Sequence, residues 1–175
     1  HRAVPHVDVF SFSRPGAPWV AHEWLSDVLM ALAYRAGGWS GLVAAFALAA
    51  GTTAWLLVRR LSFAVGGLTL VTTALLAFAC MSGSLLARPQ LFMLPVMLLW
   101  LGELMDARAQ GRAPRLAYAL LMTLWANLHG SYVLGFVLAG AFGLEALIEQ
   151  KDSRLKVVRD WGLFAVASLV AVLVT

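Results

Sequence analysis

Between residue 40 and the last residue the chain is a series of six apolar runs, at about 40–58, 63–82, 90–105, 116–127, 131–148 and 161–175, separated by short polar connections. A helix needs about 20 apolar residues to cross a hydrocarbon layer of about 30 Å. Lipid offers no partner to a free backbone N–H or C=O, so a spanning segment must close its hydrogen bonds internally. Continuous apolar runs of this length, with no strict alternation, are therefore expected to be membrane helices. Composition agrees. The chain is 61% hydrophobic and 13% charged, with a mean hydropathy of +0.81, against about 45–50% and about 25% in soluble domains. The net charge of +4 is carried by basic clusters between apolar runs, as topology signals are, and no nucleic-acid partner is expected. Cys80 is the only cysteine, which excludes an internal disulfide and a cysteine-rich metal site. The expected fold class is all-α: a polytopic transmembrane helix bundle with an external first loop and an interfacial amphipathic helix.

Residues 1–21 contain a Pro15-Gly16 turn and alternating Val7/Val9 and Phe10/Phe12, the signature of a loop with extended pieces. From His22 to about residue 36 the pattern turns helical, with Glu23, Asp27, Ala31 and Arg35 on one i, i+4 stripe. That stretch is too short to span and suits a juxtamembrane helix lying in the interface, ended by Gly37-Gly38. Residues 40–175 then hold about six transmembrane helices. Arg59-Arg60, the trio Arg108, Arg112 and Arg115, and the group Lys151, Arg154, Lys156 and Arg159 occupy alternate connections. The positive-inside rule assigns these to the cytoplasm. The first loop, the Arg88-Pro89-Gln90 connection and Asn127-Leu128-His129-Gly130 then share the opposite face. The chain opens on His1 and stops at Thr175 inside an apolar run, so it is expected to be a piece of a longer polytopic protein, with a span upstream and more chain downstream.

Chemistry is expected where those three polar clusters meet. Asp8 can be a general base, a metal ligand or a turn residue capping local N–H groups. Glu23 in the first helical turn suits the helix dipole, which leaves the adjacent His22 unexplained. Arg88 before Pro89 either snorkels to headgroups or grips a phosphate through its guanidinium fork. Gln90 and Asn127 lie beside these groups as further binding candidates. His129, between Asn127 and a helix-breaking Gly130, needs a polar partner if it lies near bilayer depth. Glu103, Asp106, Glu145 and Glu149 are expected to pair with nearby Arg and Lys. The seven tryptophans read as interface belts and packing.

The strings PHVDVFSFSRPGAPWVAHEWLSDVL, ARPQLF and LWANLHGSYVLG, taken together, resemble the N-terminal part of the GT-C superfamily of polytopic membrane glycosyltransferases, in an uncharacterised bacterial branch. The resemblance implies transfer of a sugar from a polyprenyl-phosphate-linked donor to a glycan, lipid or protein acceptor, at the periplasmic face of a multi-pass protein of the bacterial inner (plasma) membrane. It places Asp8 in the acidic position of the first external loop. On that reading the catalytic set is Asp8, His22 and Glu23, with Asp8 taking the acceptor proton and Glu23 and His22 orienting. The substrate-binding set is Arg88, Gln90, Asn127 and His129, with Arg88 and His129 on the departing phosphate. Many relatives carry a second acidic residue in a later external turn, where this chain has Arg88. That departure moves weight to Glu23 and His129. No cofactor and no metal ligand is assigned from the residues; the superfamily admits a divalent metal. Membrane lipids are expected partners. The alternatives are a non-catalytic polytopic subunit, a transporter, or another lipid-linked transferase or ligase.

Overall fold

The computed structural model of the chain describes residues 6–9, 11–19, 23–81, 83 and 87–174. Among them the protein is all-helical: α1 Trp24–Leu61, α2 Gly67–Met81, α3 Met93–Ala109, α4 Leu120–Leu128, α5 Val133–Glu149 and α6 Arg154–Leu173, with 3-10 turns at Pro89–Phe92, Leu116–Ala119 and Gly130–Tyr132 preceding α3, α4 and α5. The segments Trp24–Leu61, Pro89–Ala109 and Gly130–Glu149 are long and apolar enough to cross a membrane, and Gly67–Met81 and Leu116–Leu128 are shorter apolar helices. The protein is a membrane protein.

Helix α1 is two arms in one. Gly37 and Gly38 leave helical geometry, and Gly38 sits at φ +58° and ψ −141°, a conformation open essentially to glycine alone. The arms meet so closely that a Cβ on Gly41 would lie 2.1 Å from the Ala33 carbonyl oxygen. The charged stripe of the first arm points outward, with Asp27, Ala31 and Arg35 exposed. Its protein-facing line is instead Ser26, fully buried, with Met30 and Ala33 half-buried, and Leu29 and Leu32 remain exposed.

Two apolar clusters hold the helices together. The larger joins α3, α4, α5 and α6 around Trp100, Leu104, Met122, Trp125 and Phe164, with Trp100 stacked on Phe164 at 5.1 Å between ring centroids. The Trp100 indole N–H donates to the Gly135 carbonyl at 3.1 Å, the partner a buried indole requires. The smaller cluster packs Phe46 and Ala49 of α1 on Leu91 and Leu94. Trp100, Trp125 and Trp161 are therefore core, whereas Trp39 and Trp55 are exposed. Helix α2 packs on α1 and exposes Leu68, Val71, Leu75 and Leu76.

The expected acid–base pairings form. Arg60 bonds Asp106 at 2.7 Å, Arg108 reaches Glu145 at 2.6 Å and Glu149 at 3.2 Å, and Arg112 and Arg115 both reach the buried Glu103, at 2.7 and 3.2 Å. All lie at the end of the molecule where α3 and α5 finish.

The Gly41 contact makes a prediction. Gly41→Ala must open the joint between the arms against backbone, and should cost about 1–3 kcal/mol. Gly140→Ala, where an added Cβ meets nothing within 4 Å, should be neutral or slightly stabilising for helix α5. Thermal melting of both variants in detergent checks the contrast.

Candidate functional site

Helix α4 runs for nine residues and stops at His129, whose backbone is extended at φ −165° and ψ 141°. The stop leaves terminal carbonyls that the helix cannot pair. α1 supplies the remedy: Ser26 Oγ donates to the Leu128 carbonyl at 2.8 Å and lies 3.4 Å from the Pro89 carbonyl. The indole N–H of Trp24 donates to Asn127 Oδ1, and the Asn127 amide in turn donates to the Thr123 carbonyl at 2.8 Å. The start of α1 is thus tied to the Pro89 turn, 63 residues on, and to the end of α4, 102 residues on, by three polar side chains, Trp24, Ser26 and Asn127.

The same tie brings titratable groups together. Glu23, the residue before α1, presents Oε1 at 3.2 Å from His129 Nε2, with side chains about one third and one quarter exposed. On the other side of the ring, His129 Nδ1 accepts from the Ser131 backbone N–H at 3.0 Å and lies 2.8 Å from Ser131 Oγ. A nitrogen that accepts a backbone N–H carries no proton, so in the neutral imidazole the proton is on Nε2 and is donated to Glu23. Ser131 Oγ accepts from the Trp125 indole at 3.1 Å. The donors therefore run in one direction, from Trp125 through Ser131 and His129 to the Glu23 carboxylate, an order in which each bond polarises the next.

The sequence-predicted residues divide as follows. Glu23, Asn127 and His129 come together. Arg88 and Gln90 belong to the adjoining turn, whose Pro89 carbonyl shares the Ser26 hydroxyl. Arg88 is exposed, and its guanidinium has no ion pair or hydrogen bond among the described residues. Gln90 is half-buried in the 3-10 turn. His22 lies outside the described residues. Asp8 is buried in its own loop: Oδ1 accepts the Ser11 N–H at 2.8 Å, while its backbone N–H donates to Ala17 and its carbonyl accepts from Gly16. One oxygen of Asp8 thus caps a turn of its own loop. Among the described residues no three His, Cys, Asp or Glu side chains stand together as a metal site.

Ser26, Ser131 and the indoles of Trp24 and Trp125 are part of the site without having been singled out for it. A signal existed for Trp125, since a buried Trp N–H needs an acceptor, but not for Trp24, which is exposed. Ser131 stands two residues from His129, within reach of its ring in any tight turn. Ser26 had no signal beyond its place on the buried side of a helix.

Removing the hydroxyl in Ser26→Ala leaves the Leu128 carbonyl buried without this donor and should lower stability by about 1–3 kcal/mol. It should also free the turn carrying His129, seen as faster modification of that imidazole by diethyl pyrocarbonate than in wild type. No protein family, curated protein or solved structure matches the chain.

Proposed function

We propose that this chain is part of a GT-C type glycosyltransferase of the bacterial plasma membrane. It would move a sugar from a polyprenyl-phosphate-linked donor to an acceptor hydroxyl at the periplasmic face. The observation that carries the reading is the Glu23–His129 pair at 3.2 Å, formed by residues more than a hundred apart and partly open to solvent, beside a turn that carries an exposed Arg88.

The proposed chemistry uses these groups in order. The Glu23 carboxylate accepts the proton of the acceptor hydroxyl, and His129, fixed through Ser131, holds that carboxylate in place. The acceptor oxygen forms a bond to the anomeric carbon as the carbon–oxygen bond to phosphate breaks. The electron pair leaves with the polyprenyl phosphate. Arg88 faces the charge that develops on the departing phosphate, where a positioned cation lowers the barrier most. A lipid-borne donor needs a site at the boundary between water and hydrocarbon. The exposed Leu29 and Leu32 on the same arm as Glu23 suit such a boundary. Asp8, held within its loop, acts in this scheme by shaping the rim.

A transporter would be favoured by carboxylates placed along the spans. Glu103 is buried in α3, but its oxygens are taken by Arg112 and Arg115 from the following connection, which accounts for it as structure.

The test is donor binding and turnover by purified full-length protein given a polyprenyl-phosphate sugar. Glu23→Gln should cut turnover by about 10²–10⁴, the usual effect of losing a general base, with donor binding kept. Arg88→Ala should weaken donor binding by about ten-fold or more, the loss of a charge-assisted bond of roughly 1.5–3 kcal/mol. Absence of donor binding in wild type, or full activity in both variants, overturns the reading.

A further inference from the structure

At the opposite end of the molecule from the Glu23–His129 pair, a cleft of about 530 Å³ opens between the last turns of α1 and α3. Its walls are of two kinds. Leu56, Phe63, Leu98 and Leu99 form an apolar side, and Arg59, Arg60, Asp106 and Gln110 a polar one. The polar groups sit where two membrane-length helices end, which is headgroup depth for any orientation that buries their apolar lengths in lipid.

The lining carboxylates are already paired. Arg60 is consumed by Asp106 at 2.7 Å and by the Gly102 carbonyl. Glu103, at the back of the cleft, is consumed by Arg112 and Arg115. The lining holds two guanidinium groups and two carboxylates, but Glu103 is already paired by Arg112 and Arg115 from outside the cleft, so one lining cation has no carboxylate of its own. Arg59 is the cation left over: its guanidinium rests 5.3 Å above the Trp55 ring and meets no carboxylate among the described residues. Trp55 is itself more than half exposed. An arginine held by an aromatic face, beside apolar walls that continue toward the hydrocarbon, matches an anionic headgroup with its acyl chains attached.

We infer that this cleft binds an anionic glycerophospholipid of the surrounding bilayer, with the phosphate on Arg59 and an acyl chain along Leu56, Leu98 and Leu99. Basic groups in pockets between membrane helices recognise such headgroups through charge, and the apolar wall gives the attached acyl chain a surface that a free anion would not use. The site is separate from the transferase reading and does not depend on it.

Native mass spectrometry of the full-length protein, released from mixed phosphatidylglycerol and phosphatidylcholine micelles, tests it. Wild type should retain phosphatidylglycerol preferentially. Arg59→Gln should lower that preference by about five-fold, the effect of one cation at a charged lipid surface, whereas Arg35→Gln, on the other arm of α1, should leave it unchanged. Equal retention of the two lipids by wild type, or unchanged preference in Arg59→Gln, overturns the proposal. So does displacement of the lipid by millimolar glycerol 1-phosphate, which would assign the cleft to a free phosphate. Should Arg59→Gln not fold, wild type carries the test alone: brominated phosphatidylglycerol should quench the Trp55 emission, defined as the part lost in Trp55→Phe, more than brominated phosphatidylcholine. Equal quenching overturns the proposal.

Discussion

A helix that ends away from water must hand its last carbonyls to other donors, and in this protein α4 ends after nine residues. The hydroxyl of Ser26 takes the Leu128 carbonyl, and Ser26 is fully buried, so no water competes for the bond. That single donor sets the height at which α1 crosses α4. The crossing then decides what the flanking residues meet. Trp24 falls on Asn127, Glu23 on His129, and the Pro89 turn closes against the same hydroxyl. A break in one short helix thereby becomes a polar end to three segments. The cost of the early stop is offset by bonds that also orient the imidazole, so structural capping and site formation are the same event.

Most of the remaining ion pairs lie at the other end. Glu103, Asp106, Glu145 and Glu149 each meet an arginine there, and the buried one, Glu103, receives two guanidinium groups and the Arg115 backbone N–H. A lone carboxylate at that burial would be strongly unfavourable, and breaking a buried pair on one side typically costs about 3–5 kcal/mol. The middle of the molecule is left to Trp100, Met122, Trp125 and Phe164, which need two hydrogen bonds, to the Gly135 carbonyl and to Ser131 Oγ, to satisfy their indoles. Polarity is thus concentrated at two ends, one open and carrying a carboxylate–imidazole pair, the other densely paired with cations in excess.

Much of this was legible in the residues because the relevant physics is local and periodic. Runs of apolar residues dictate helices wherever lipid is the solvent, and an arginine nine residues after a carboxylate, as Arg112 is after Glu103, folds back on it across one helix end. The convergence of Glu23, Asn127 and His129 was legible only as a shared face, since the alternation of basic connections fixes sides and not distances. Asp8 illustrates the limit. A carboxylate in a Pro- and Gly-containing loop is as well suited to capping as to catalysis, and the sequence does not say which loop N–H reaches it, as that of Ser11 does. Ser26 was invisible for a different reason: its importance comes from an unpaired carbonyl a hundred residues away, and that carbonyl exists only because α4 stops where it does. The helical stripe Glu23, Asp27, Ala31 and Arg35 identified the polar face of the first arm, but the protein-facing face is chosen by Ser26 and Met30, which a hydrophobicity pattern does not separate from Leu29 and Leu32.

The joint at Gly37-Gly38 explains how one helix can serve both ends. Residues 39–61, at about 1.5 Å per residue, extend for about 35 Å, enough by themselves to cross a hydrocarbon layer of about 30 Å. The first arm is therefore not needed for the crossing and is free to take another direction, which Gly38 at φ +58° provides and the Gly41–Ala33 approach fixes. A straight continuation would carry Glu23 about 20 Å further along the helix axis, away from the turn that holds His129. The bend instead returns Ser26 to the end of α4. Because the second arm ends in Arg59 and Arg60, the same helix contributes the carboxylate of one end and the cations of the other. The glycine pair thus makes the polar end containing Glu23 compatible with a membrane-length second arm.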